Sequence, residues 1–129
     1  MRLSEHLKAH EEFSHSLRML RGDLFENRRM IVETCALAAA NLTNAALHAK
    51  GALSEASSDV KHNRLFGYLT REKPVEEHEE LARCHQELES LKYSITHGIT
   101  RDGEKALEAI ATLERVEKIL DKYLEGVKR

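Results

Sequence analysis

Apolar positions in this chain recur at helical spacing from one end to the other, and between Asp23 and Leu53 they thicken until a helix through Ile31 to Ala49 would be apolar almost all round. A helix of that kind belongs at the centre of a bundle. At about 3.6 residues per turn, Ile31, Cys35, Ala38, Leu42, Ala45 and Ala49 share one face, and Val32, Ala36, Ala39, Ala40, Ala46 and Leu47 fill most of the others. One polar wedge is left, made of Thr34, Asn41, Asn44 and His48, within about 80° on the wheel. Its alanines let neighbours approach closely, so the wedge should meet a helix, a partner chain or a site rather than bulk water.

Caps and periodicity divide the rest. A first helix spans about Ser4 to Arg21 and should end at Gly22, where a residue without Cβ can take the left-handed conformation. Asp23 with Glu26 has capping-box spacing, which starts the central helix at Asp23 and carries it to Lys50 or Leu53. A polar turn through Ser54, Ser57 and Ser58 leads to a short third helix from Asp59 to about Leu69, anchored by Val60, Leu65, Phe66 and Leu69. After Pro74, Glu76, Glu77, Glu79 and Glu80 favour a fresh helix start as a solvated acidic turn. Leu81, Cys84, Leu88, Leu91 and Ile95 form the stripe of this fourth helix, with Gly98 as its stop. A fifth begins near Asp102 and buries Ala106, Ile110, Leu113, Leu120, Leu124 and Val127, fraying by Gly126. The expectation is an all-α, up-and-down bundle of about five helices in a single domain, residues 1–129.

Composition narrows the function classes. Twenty basic and 22 acidic residues give a formal charge of −2, so the chain as a whole has no electrostatic reason to coat nucleic acid or an anionic membrane. Cys35 and Cys84 lack metal-finger or redox spacing and read as core residues. The first residues show no signal run, and no stretch approaches a membrane span, so a cytoplasmic location and no membrane partner are expected.

Candidate chemistry concentrates in Lys92-Tyr93-Ser94-Ile95-Thr96-His97, at the end of the fourth helix. A histidine moves protons near neutral pH and a lysine stabilises charge developing on a phosphate, a pairing suited to RNA cleavage. In a continuous helix Lys92 and His97 point about 140° apart, so they can serve one site only if the helix loosens before Gly98 or a second chain completes the site. Read without that chemistry, the pair simply serves the helix dipole and solvation. His78 and His85 lie on the same side as Lys92, and with His62 and Arg64 could line a common groove. His6 and His10 at i,i+4, with the Glu12-x-x-His15 step, would put a metal on one face of the first helix; no second Glu-x-x-His step completes a di-iron set, so no metal or cofactor is assigned. His48 and Asn41 read as hydrogen-bonded buried polar groups rather than ligands.

The order of Asn41-Leu42-Thr43-Asn44-Ala45-Ala46-Leu47-His48-Ala49, then Asp59-Val60-Lys61-His62-Asn63-Arg64-Leu65-Phe66-Gly67-Tyr68-Leu69, then Leu91-Lys92-Tyr93-Ser94-Ile95-Thr96-His97-Gly98 resembles the HEPN superfamily (higher eukaryotes and prokaryotes nucleotide-binding) over residues 24 to 125. The resemblance implies an all-α bundle, a homodimer, and either a ribonuclease or a nucleotide-binding component, often the toxin of a toxin-antitoxin pair with a small nucleotidyltransferase partner. The family motif is an Arg followed after a short spacer by His, with the site assembled across the dimer. His97 falls on that His, and Lys92 stands where the family has Arg, keeping the charge without the planar fork. Lys92 and His97 are therefore the expected catalytic residues. The competing class is a non-enzymatic helical interaction module, in which the same two residues only cap a helix.

Overall fold

The computed structural model describes residues 2–53, 59–97 and 103–125. Among these the chain forms α1 (Leu3–Leu20), α2 (Arg28–Lys50), a 3-10 turn (His62–Arg64) that runs directly into α3 (Leu65–Glu72), α4 (His78–Thr96) and α5 (Glu104–Leu124), with no strand. The all-α bundle of about five helices is therefore the fold. Ser54, Ser57, Ser58, Gly98, Asp102, Gly126 and Val127, to which turn, cap or core roles were assigned above, lie outside the described residues.

Helix α2 is the central element because it is apolar on nearly every side. Ile31, Val32, Cys35, Ala38, Ala39, Leu42, Ala45, Ala46 and Leu47 are all buried, and α1, α4 and α5 pack around them. Cys35 and Cys84 are free and buried. Burial pushes the Cys35 thiol up to about 12, so it stays a protonated core residue. By length and composition α2 could cross a bilayer, but 72% of its most apolar window is buried in the bundle.

Contacts at the helix ends fix directions. Asn41 beside His6 and Asn27 beside Leu20 make α1 and α2 antiparallel. Tyr123 beside Glu77 and Arg115 beside Glu87 do the same for α4 and α5. The start of α5 touches the turn before α2, where a Cβ on Gly103 would lie 2.7 Å from Leu24 Cβ, and Lys50 at the end of α2 lies over the Tyr123 ring at the end of α5. Those two central helices are thus parallel, and only a glycine permits so close an approach at their common start.

The helix boundaries differ from the expected ones at four points. Asp23 Oδ1 does accept the Glu26 N–H at 2.9 Å, but it closes a separate turn, and α2 begins only at Arg28 after Asn27 Nδ2 donates to the Leu20 carbonyl. Gly22 is not left-handed; that conformation falls to Gly51, at φ 84°, which closes α2. The third helix starts later than Asp59 because the Val60 N–H and C=O are both taken by the Asn44 side chain, at 2.8 and 2.9 Å, which leaves nothing for a helical turn. It then continues past Leu69 to Glu72, and Lys73 at φ 48° ends it just ahead of Pro74.

Candidate functional site

The polar wedge of α2 finds its partners on α1 and on the segment leading to the 3-10 turn. Asn41 Nδ2 donates to the His6 carbonyl at 2.6 Å, which turns Asn41 Oδ1 toward the His6 ring, 2.6 Å from Nδ1. His6 Nε2 lies 3.0 Å from Asp59 Oδ1, and His48 Nε2 lies 3.1 Å from the same oxygen. His48 Nδ1 is 3.2 Å from the Leu53 carbonyl, and the two imidazole rings stand 5.5 Å apart, centre to centre. The side chains of His6 and His48 are 3% and 2% exposed, that of Asp59 28%. Burial acting alone would raise the Asp59 carboxyl, but contacts with His48 and His6 outweigh it and hold the group below its ordinary value. Sequence reasoning identified His48 and Asn41 as satisfied polar groups, but not that His6 and Asp59 are what satisfies them.

The remaining first-helix residues do not assemble around His6. His10 Nε2 lies 2.9 Å from Glu117 on α5, and Glu12 and His15 are exposed. The expected shared groove divides as well. His85 is buried, its Nε2 2.8 Å from Thr43 Oγ1, whose own proton goes to the Ala39 carbonyl. The ring must therefore donate, and desolvation lowers its pKa to about 4, so it is a neutral core histidine. His78 lines a different groove, with Phe66, Thr70, Lys73 and Arg83.

Lys92 and His97 lie at the end of α4. The helix stays regular through Thr96, so the two side chains diverge. His97 folds back along its own helix, its Nδ1–H donating to the Tyr93 carbonyl at 2.9 Å and its ring stacked on Tyr93, 4.0 Å centre to centre and 26° from parallel. In the neutral ring that leaves Nε2 as the basic nitrogen. Lys92 Nζ reaches back to Glu89 Oε2 at 3.8 Å, and the other oxygen of Glu89 takes His62 Nδ1 at 3.1 Å. Within one chain the structure brings together Lys92, Glu89 and His62; it does not bring Lys92 to His97. Tyr93 is 62% exposed and His97 is exposed, so this is an open surface.

The acidic start of α4 is only partly a solvated turn. Glu77 is bonded to Lys122 and accepts from the Tyr123 hydroxyl at 2.5 Å, tying α4 to the end of α5. No family model, no curated protein and no solved structure matches the chain.

Proposed function

We propose that the chain is a HEPN-like RNA-binding protein whose working surface is the last turns of α4 with the 3-10 turn beside them. One observation carries the reading: an exposed Tyr93–His97 stack adjoins Lys92, whose carboxylate partner Glu89 also holds His62. A stacked aromatic pair offers a platform for an unpaired base, and a cation and a further histidine, Lys92 and His62, suit a phosphate. In this reading His97 Nε2 moves the proton and Lys92 stabilises charge on the phosphate. Because the two diverge within a protomer, a second copy of the chain completes the site, and a small nucleotidyltransferase is the proposed partner of the dimer.

The test is direct. Wild-type protein should bind single-stranded RNA in fluorescence anisotropy, weakening as salt rises, and should cleave it in the presence of a chelator. His97→Ala should abolish cleavage with the fold intact, and Lys92→Arg should preserve or raise it, since a guanidinium grips two phosphate oxygens. No binding at low salt, or cleavage that survives His97→Ala, would overturn the proposal.

A second reading has its own observation. Phe25, Met30, Leu37 and Leu107 are large apolar side chains left between 46% and 58% exposed, which suits a non-enzymatic interaction module covered by a partner chain. Sedimentation at micromolar concentration reads this separately from RNA binding, with twice the monomer mass expected for a homodimer.

A further inference from the structure

Two histidines aim the same kind of atom at one carboxylate oxygen. The orientation of Asn41 makes its Oδ1 the neighbour of His6 Nδ1, so that nitrogen carries the proton. The Leu53 carbonyl can only accept, so His48 Nδ1 carries the proton there. With Nδ1 of each ring taken up in this way, each Nε2 is left facing Asp59 Oδ1, from 3.0 and 3.1 Å. Three electron-rich atoms converge in a pocket where both rings are almost wholly buried. The two rings stand 5.5 Å apart, centre to centre, so both nitrogens can reach one ion.

We infer that His6, His48 and Asp59 form a binding site for one first-row divalent cation, best matched by Zn2+. Ligand type agrees, since two imidazole nitrogens and a carboxylate are common zinc donors. Spacing agrees too: bonds of about 2.0–2.1 Å at tetrahedral angles put ligand atoms about 3.3 Å apart, and the ligand atoms here all lie within 4.8 Å of one another, with both Nε2–Oδ1 separations near the ideal. The outer shell is already built. Each ring donates its other N–H to a carbonyl oxygen, Asn41 Oδ1 or Leu53 O, which is how metal-bound histidines are held in tautomer and orientation. Three protein ligands leave a fourth position for water or an exogenous group. The ion would join α1, the end of α2 and the segment at Asp59, three pieces of chain otherwise linked here by hydrogen bonds, so binding should stabilise the fold. The site uses neither Lys92 nor His97, and its fate does not depend on RNA chemistry.

The experiment uses the full chain freed of metal with a chelator and titrated with Zn2+ in competition with a chromophoric indicator. One equivalent should bind per chain, the unfolding temperature should rise with Zn2+ concentration, and Co2+ in its place should give the strong visible absorption of four-coordinate cobalt. His48→Ala and Asp59→Asn should each weaken binding by more than about tenfold, with circular dichroism confirming that the helices persist. Glu33→Gln, an exposed change elsewhere on α2, should retain binding, so that loss of affinity is traced to the ligands and not to disturbance of α2. The inference is overturned if wild type binds no stoichiometric Zn2+. It is equally overturned if affinity survives both ligand substitutions but is lost in His10→Ala or His15→Ala, which would put the ion on the exposed face of α1.

Discussion

The upper half of α2 and the last turns of α4 each carry a histidine among other polar side chains, and the bundle uses the two groups in opposite ways. Along α2 the polar side chains Asn41, Thr43, Asn44 and His48 are half-buried or buried, and each bonds to a partner, usually on another element. At the end of α4, among the described residues, Lys92 bonds to Glu89 and His97 to the Tyr93 carbonyl, both on their own helix. A buried polar group without its partner costs desolvation that nothing returns, so the first set is fixed by the fold. The second set can leave its weak contacts for a ligand at little cost. A histidine therefore has no single meaning in this chain: His85 is a neutral core residue, His6 and His48 share a carboxylate, and His97 stands in solvent.

The sharpest way to separate the two regions is through the apolar residues beneath them. Leu42 is 1% exposed at the middle of α2, and Leu42→Ala should lower stability by about 2–5 kcal/mol through lost transfer energy and a cavity. Leu107, 52% exposed on α5, should cost well under about 1 kcal/mol in the same change. Urea denaturation of both variants reads the contrast, and equal midpoints would mean that α2 is not the centre of the core.

Acid should sharpen it next. The His85 ring is held neutral by burial with its pKa lowered from 6.5 to about 4. Between those values the unfolded chain binds a proton that the folded chain refuses, so stability contributed above pH 6.5 is lost as pH falls toward 4, by up to about 3 kcal/mol. His85→Gln, which keeps a donor for Thr43, should flatten the fall in urea midpoint over that window. Leu107→Ala, which removes no titratable group, offers the control and should leave the slope unchanged.

Much of this contrast was legible in the sequence, and what was not depends on distance along the chain. The period of about 3.6 placed the wedge on α2, and the thinness of that wedge in an apolar helix required partners for Asn41, Asn44 and His48. It could not say which. His6 is 35 residues from Asn41 and 53 from Asp59, and only the antiparallel docking of α1 brings them together. The same long-range bonds moved a helix boundary: Asp59 and Val60 have the look of a helix start until Asn44 takes the Val60 backbone. The early start assigned to α2 failed differently, because Asp23 makes the local bond its spacing promises without that bond beginning the long helix. Lys92 and His97 were placed correctly at a helix end, and their divergence follows from a helix that stays regular through Thr96.

A smaller effect tests whether the wedge is held by its bonds. Asn44 bonds the Val60 N–H and C=O and the Ala40 carbonyl while 3% exposed. Asn44→Ala should cost about 1–3 kcal/mol, because it leaves Val60 groups at the edge of the core without partners. Hydrogen exchange should also quicken at the Val60 amide. An unprotected Val60 amide in the wild type would mean that the segment at Asp59 is not docked as described.

The smallest stability change belongs at the other end of the comparison. Tyr93→Ala removes an exposed ring stacked on His97, one turn along the same helix, so the denaturation midpoint should move by no more than about 0.5 kcal/mol. RNA affinity should respond far more, since losing a stacking platform costs about 1–3 kcal/mol per base, or roughly five- to 150-fold in Kd. Phe66→Ala is the matched control, an aromatic 40% exposed in a different groove beside His78. If Tyr93→Ala destabilises the fold as Asn44→Ala does, the end of α4 belongs with the buried wedge and its exposure has been misjudged. If it leaves both stability and RNA affinity untouched while Phe66→Ala weakens binding, the nucleic-acid surface lies in the groove between α3 and α4, and Lys92 and His97 lose their proposed roles.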